Sequence, residues 1–454
     1  MATSMTRLWV AFWMACTWKG TCGVDEKMEK AMDRLSFGSC NDQDEAQPLW
    51  TAVHEQRPDL FLFLGDNVYA DRKVDGKWTA PTLKELERCY DKQKGQPDYV
   101  KLIRNTPVRG MYDDHDGCLN DFGQGTCADL HERQKLMWDF FDEPEQSPKR
   151  KRKGVYSSLE VGPKGKKVKI ILLDTRSFRD PLVPGLEGST GDVLGEEQWE
   201  WLEEELRESD ANVHLIASSI QVVPYMHAYL EPLLQVESWN RFPKARERLF
   251  GLLRQLEVSG VIFLSGDVHY AEISQAPVGC ALSYPLFDFT SSGMTHTALD
   301  ESPLSTIFPS YAPDWVFPQP FKWPRFARKN FGSIDFFWND EDPGESVVQM
   351  QALGLEGPTK VFKRVRIKDL QAQPWTPRSD CPSEAHLPPT QRRRLLIVVF
   401  TSLMLHWILA TALFILFMYK FRGYKLGSHV LTRLAGAKGY LFSMYYAKSE
   451  EKIH

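Results

Sequence analysis

The chain has no marked excess of charge of either sign: 55 Lys and Arg stand against 60 Asp and Glu, a formal net charge of -5. With a pI near 6.2, nothing in the global balance points to nucleic acid, and charged patches carry meaning only locally. Internal repeats and long low-complexity segments are absent as well, which excludes repeat architectures and low-complexity arrays. No Asn-X-Ser/Thr sequon occurs, so no glycosylated surface is marked out. What is present is a folded globular composition, 12% aromatic and 25% charged. At 454 residues the chain suits one large α/β domain with appendages, since single domains mostly run to roughly 100–250 residues.

Both ends carry membrane-type signals. Residues 8–18, LWVAFWMACTW, form a short apolar run behind Arg7, with Ala15, Gly20, Thr21 and Gly23 as small residues after it. This predicts a signal peptide over 1–23. Leu395 to Tyr419 is an apolar run whose only ionisable side chain is His406, between Arg392–Arg394 and Lys420, Arg422 and Lys425. It predicts a transmembrane helix over 395–419. Together the two signals predict a single-pass type I membrane protein of the secretory pathway, with a lumenal or extracellular domain over 33–368. A Pro-rich linker would follow at 369–394, and a basic cytosolic tail at 420–454. The tail suits either an anionic membrane surface or plain solvation.

Among eight cysteines, Cys16 would leave with the signal peptide, and a non-reducing compartment permits disulfides among the rest. Cys118 and Cys127 bracket a Gly-rich loop and are the first candidate pair.

Hydrophobic periodicity gives the layout of the domain. RLSFGSC at 34–40 reads as a strand ending in a turn, Asp44 to Gln56 as a helix, and FLFLGDNVYAD at 61–71 as a buried strand delivering Asp66, Tyr69 and Asp71 to its end. Asp71 has no role assigned by the pattern. PVRGMYDDHD ends a third strand in an acidic and histidine cluster, and a helix runs from about Ala128 to Asp142. The basic run KRKRK at 149–153 reads as a solvated loop beside a hairpin, VYSSLEVG into KVKIILLDTR. Beyond it come an acidic amphipathic helix, GEEQWEWLEEEL, and a strand, VIFLSGDVHYAE, with a second Gly-Asp turn. SVVQMQALGLEGPTKVFKRVRI closes the domain as an antiparallel hairpin. Four strand ends thus present metal-type donors: Cys40; Asp66 with Tyr69; Asp113, Asp114, His115, Asp116 and Asn120; and Asp267 with His269. Repeated delivery of thiolate, phenolate, carboxylate and imidazole at the ends of buried strands is what a polynuclear metal centre needs.

In chain order FGSC, GDNVY, DDHD with its following Asn120-Asp121, LDTR and GDVH resemble the PhoD-like alkaline phosphatases, a branch of the calcineurin-like metallophosphoesterases, over about residues 34–367. The resemblance leaves the apolar C-terminal run and the tail unexplained. It implies a four-layer αββα sandwich with the site at the strand ends. It also implies a ferric ion held by Cys40, Asp66, Tyr69 and His269, with Asp66 bridging to a second site completed by Asn120 and Asp267. That second site suits calcium most, with zinc, manganese or magnesium as alternatives. Asp114 would join the second site or orient its neighbours. His115 would protonate the leaving alkoxide or hold a phosphate oxygen. Arg176 is either a phosphate clamp or a salt-bridge partner of Asp174 or Asp180. Trp199, Tyr225 and His227 line the cleft or fill the core.

The function expected on these grounds is metal-dependent hydrolysis of phosphate mono- or diesters. The alternative is a binding or adhesion protein on the same scaffold that has lost catalysis.

Overall fold

A computed structural model describes residues 27–182, 191–224, 237–297, 325–379, 381 and 389–421. The expected signal peptide, Tyr225, His227 and the tail beyond Phe421 lie outside these residues. In chain order the strands are β1 (Lys27–Met28), β2 (Arg34–Gly38), β3 (Leu60–Leu64), β4 (Arg72–Val74), β5 (Lys77–Thr79), β6 (Val108–Met111), β7 (Ser157–Val161), β8 (Val168–Leu172), β9 (Val213–Ser218), β10 (Val261–Ser265), β11 (Ala271–Ala276), β12 (Leu286–Ser291), β13 (Arg325–Phe326), β14 (Asn330–Phe337), β15 (Val347–Gly354) and β16 (Gly357–Arg366). The helices are α1 (Leu49–Gln56), α2 (Leu83–Lys94), α3 (Pro97–Ile103), the single turn α4 (Asp114–Gly117), α5 (Leu130–Phe140), α6 (Gly195–Arg207), α7 (Pro243–Gln255) and α8 (Pro389–Phe421).

The strands form two mixed sheets, in the orders β16-β15-β14-β2-β3-β6 and β1-β7-β8-β9-β10-β12-β11-β13, plus the small β4–β5 hairpin. Strand β3, LFLFL, is apolar at every position because it is buried on both faces, as parallel central strands are. Phe61 and Phe63 point outward to Trp50 of α1, at 5.1 and 5.5 Å between ring centroids. On the inner face Phe37 of β2 meets Phe289 of β12 edge-on at 4.9 Å, joining the two sheets. Beyond the second sheet Phe250 of α7 packs on Phe263 of β10 at 6.5 Å. The layers therefore run helix, sheet, sheet, helix. Strands β2, β3 and β6 are parallel in one sheet, and β8, β9, β10 and β12 in the other. Carboxyl ends from both sheets converge on one place, where open α/β sheets bind ligands.

Several local expectations change. Helix α1 starts at Leu49 rather than Asp44, because Pro48 has no N–H to give and disfavours helical geometry at Gln47 before it. The KRKRK run is not simply solvated: Lys149 is 6% exposed, pairs with Glu143 at 3.2 Å and lies over Trp138, while Arg152 stacks on Tyr156. Aliphatic stems and cation–π contact explain how charged side chains are packed there. Trp199 is 2% exposed on α6 and meets Trp239, so it fills the core. Cys118 and Cys127 form a disulfide, and Cys280 is joined to Cys381. That second bridge ties down the Pro-rich segment after residue 369, whose Ala372 N–H also donates to Ser259 Oγ at 2.9 Å.

Residues 387–454 form a separate unit, described as α8 alone. Among the described residues no helix is long and apolar enough to cross a membrane. The expected transmembrane helix at 395–419, the single-pass type I topology and the membrane partner are corrected accordingly.

Candidate metal centre

Each donor reaches the site because it lies just past the end of a strand. After β2 comes Cys40, after β3 Asp66 and Tyr69, after β6 Asp113 to Asp116, and after β10 Asp267 and His269. Four of these residues, Cys40 (φ 58°), Asp66 (49°), Asp267 (69°) and His269 (60°), sit in the left-handed region. For non-glycine residues that conformation costs about 1–3 kcal/mol each and is concentrated at functional sites. Gly65, at φ +97°, is held to glycine by space as well: a Cβ there would lie 2.4 Å from Asp113 Cβ.

The donor atoms of Cys40, Asp66 and His269 all lie within 4.8 Å of one another, as do those of Asp66, Asp114 and His115, and those of Asp113, Asp114 and Asp267. Asp66 is common to the first two groups. Its Oδ2 is 3.4 Å from Cys40 Sγ and 3.1 Å from Tyr69 Oη, and its Oδ1 accepts the His115 N–H at 3.3 Å. Tyr69 Oη is 3.4 Å from His269 Nε2. Asn120 stands on the wall of the cavity beside His115, its own N–H donated to Asp71 at 2.9 Å.

Burial sets the electrostatics of the cluster. Burial pushes the Cys40 thiol up to about 12, with Asp267 adding to it, and drives Asp66, Tyr69 and Asp267 well above their ordinary ranges. Burial also lowers the His269 imidazole to about 4 and that of His296 to about 3. At His115 burial is outweighed by Asp114, Asp66 and Asp71, which raise it to about 11. Asp114 is lowered, because His115 and Arg176 overcome its burial. Asp113 Oδ2 is buried without a hydrogen-bond partner. Buried thiol, phenol and carboxylates held together at this spacing call for a cation between them, so the residues present fit a metal centre.

Arg176 is 0% exposed and lies between carboxylates, donating through Nε to Asp113 and through Nη1 to Glu237, with Nη2 3.9 Å from Asp114. Its N–H, not its guanidinium, is bonded to Asp174, at 2.9 Å. Arg179 holds the other oxygen of Glu237 at 3.0 Å.

Several participants escaped sequence reasoning. Asp71 is the anchor of His115, its carboxylate accepting from Nδ1 at 2.7 Å. Its five-residue spacing from Asp66 was the available signal. Ser292 lies 3.0 Å from Cys40 Sγ and accepts the His269 N–H at 2.8 Å. His296 touches Tyr69 and His269 edge-on, at 4.8 and 4.5 Å. Glu237, far from every motif, gave no signal at all. Above these groups opens a cavity of about 1340 Å³, walled by Tyr69, His115, His269 and Trp78 near the centre and by Lys329 and the β15–β16 turn farther out.

Carboxylates, a thiol, a phenol and imidazoles gathered at the carboxyl ends of two facing sheets, beside an open cavity, define an α/β protein with a candidate metal centre. The chain belongs to the PhoD-like phosphatase family, whose model matches residues 35–336. It is similar to alkaline phosphatase D of Bacillus subtilis (strain 168), at 28% identity over 272 residues, or 52% of this chain. The match takes in 45% of that protein, so the chain spans less than half the length of this relative. A solved structure of PhoD superposes with a TM-score of 0.50 at 16% identity, covering 79% of this chain and 76% of the other, a likeness of fold.

Proposed function

We propose that the chain hydrolyses phosphate esters at metal ions held by these strand ends. The observation that carries the reading is the convergence of Cys40, Asp66 and His269 donor atoms within 4.8 Å, with Asp66 shared by the Asp114 and His115 group, and with His115 and His269 lining the cavity. In this reading Cys40, Asp66, Tyr69 and His269 hold a ferric ion, since thiolate and phenolate donors favour the oxidised metal. Asp66, with Asn120 and Asp267, would also hold a second ion, where oxygen donors would suit calcium or another hard divalent ion, and the donor atoms of Asp113 and Asp114 lie within 4.8 Å of that of Asp267. When bound, the cations lower the pKa of water towards neutrality and offset charge on the phosphate oxygens.

The chain's own groups do the rest. His115, fixed through Nδ1 by Asp71 and stacked on Tyr69 at 4.3 Å, presents its other nitrogen to the cavity and delivers a proton to the leaving oxygen. Arg176 is assigned to the carboxylates rather than to the substrate, because it is fully buried and its Nε and Nη1 are engaged by Asp113 and Glu237. Trp78 packs edge-on against His115 at 5.3 Å and bounds the side on which the leaving group departs.

Purified full-length protein should release phosphate from an aryl phosphate, and Asp66→Asn and His269→Ala should abolish release while circular dichroism stays unchanged. Unchanged turnover in both variants refutes the reading. Metal bound without turnover of any phosphate ester would favour a binding protein on this scaffold.

A further inference from the structure

Two of the proposed ferric ligands are tied to one buried side chain that the metal reading leaves without a role. Ser292, just past the end of β12, has its Oγ 3.0 Å from Cys40 Sγ and 2.8 Å from the His269 backbone nitrogen. The segment that carries it is fixed by main-chain bonds. The Ser292 N–H donates to Tyr270 O at 3.2 Å, those of Gly293 and Met294 to Ser39 O at 3.2 and 3.1 Å, and that of Thr295 to Cys40 O at 3.2 Å. The hydroxyl is therefore placed by the backbone on both sides of it, independently of any ion.

A backbone N–H can only donate, so the His269 amide occupies one lone pair of Ser292 Oγ whatever the protonation of the neighbouring side chains. One proton and one lone pair remain, and Cys40 Sγ is the group within reach of them. A cysteine binds a metal as the thiolate, with no proton to give, so in a loaded centre the Ser292 hydroxyl donates to the sulfur. Ser39 Oγ is farther from that sulfur, at 3.7 Å, and donates to Ser291 O at 3.4 Å. A hydrogen bond to a ligating thiolate draws electron density out of its bond to the metal. It disfavours the oxidised ion relative to the reduced one, which raises the reduction potential, and leaves the cation a sharper Lewis acid.

Resting on the metal-centre reading above, we infer that Ser292 is a positioning residue that holds the Cys40 and His269 turns together and tunes the iron site through the Cys40 sulfur. The motif residues supply the ligands, and this serine, from a strand end outside the motifs, sets how strongly one of them donates.

The test compares full-length metal-loaded wild type with Ser292→Ala and Ser292→Thr. Each is titrated with dithionite while the ligand-to-iron charge-transfer absorption is followed. Ser292→Ala should retain iron but lower its midpoint potential by about 59 mV, the one-electron equivalent of a tenfold gain in ferric over ferrous affinity. Ser292→Thr, which keeps the hydroxyl, should stay within about twofold of wild type in that ratio. A purely structural serine predicts a different pattern, with iron lost from Ser292→Ala and the potential of the remainder unchanged, and that result overturns the inference. A potential that rises in Ser292→Ala, or falls equally in Ser292→Ala and Ser292→Thr, overturns it too. If the protein takes up no iron, the ferric reading fails, and the cobalt-substituted protein still decides the role of Ser292. A sulfur-to-cobalt band that moves to longer wavelength in Ser292→Ala supports the inference, and an unmoved band overturns it. Protein that binds neither metal overturns both.

Discussion

Replacing Arg176 by methionine separates two roles that the sequence allows for it. The side chain is wholly buried and compensates Asp113 and Glu237, with Asp114 at 3.9 Å. Methionine fills the volume of the stem but leaves Asp113 without its guanidinium partner and Glu237 with Arg179 at 3.0 Å. Removing one partner from a buried ion pair costs about 3–5 kcal/mol, because the other charge stays buried and uncompensated. Against a total stability of about 5–15 kcal/mol that is a large share. With an m-value of about 3 kcal/mol/M or more for a domain of this size, the urea midpoint should fall by roughly 1 M. The direction with pH follows from Asp113, which burial already raises to about 6 although Arg176 opposes it. Without the guanidinium its folded pKa rises further, so the variant regains ground as the carboxyl takes up a proton at low pH and loses it as pH rises. The assay is urea denaturation of full-length protein at several pH values, beside steady-state turnover of an aryl phosphate. A variant within about 1 kcal/mol of wild type whose KM alone rises tenfold would refute this reasoning and make Arg176 a substrate clamp.

Two other outcomes are expected. Gly65→Ala, with a Cβ 2.4 Å from Asp113 Cβ at a φ of +97°, should displace Asp113 and lose bound metal along with about 1–3 kcal/mol of stability, measured by elemental analysis and thermal melting. Retention of both metal and melting temperature would contradict it. His214 donates and accepts inside the fold, with Nδ1 2.7 Å from Ser259 O and Nε2 2.9 Å from Ser209 Oγ, and burial lowers it to about 4. Its unfolded pKa near 6.5 lies above the folded one, so its contribution is present above about pH 6.5 and is lost as pH falls towards 4. Wild type should lose roughly 2 kcal/mol through this group between pH 7 and 5, and His214→Asn should flatten that limb of the denaturation profile.

The strand ends at Asp66 and Asp267 were legible because each follows an apolar run broken by a small residue and glycine or by glycine alone, as in FLFLGD and VIFLSGD. Those runs are buried, so their pattern is read directly from hydrophobicity. What stayed hidden depends on pairings distant in the chain. Asp71 finds His115 across 44 residues, Arg176 finds Asp113 across 63, and Cys280 finds Cys381 across 101, and no local pattern reports such contacts. The choice of Asp174 or Asp180 as partner of Arg176 favoured neighbours in sequence, whereas the fold supplies Asp113 and Glu237. His296 lies in a segment whose turn geometry, rather than its composition, brings it onto Tyr69. The long apolar run near the C-terminus had the opposite fault. Composition alone suggested a membrane span, which no helix among the described residues supports.

The central claim is that these strand ends hold iron and a hard divalent ion for phosphate-ester hydrolysis. Elemental analysis of purified full-length protein, set beside its Asp66→Asn variant, tests it most directly. Iron and a divalent metal in near-stoichiometric amounts in the wild type, with both depleted in the variant because Asp66 is shared by two of the donor groups, is the predicted result. Wild-type protein free of both metals, or a variant that keeps both in full, would contradict it.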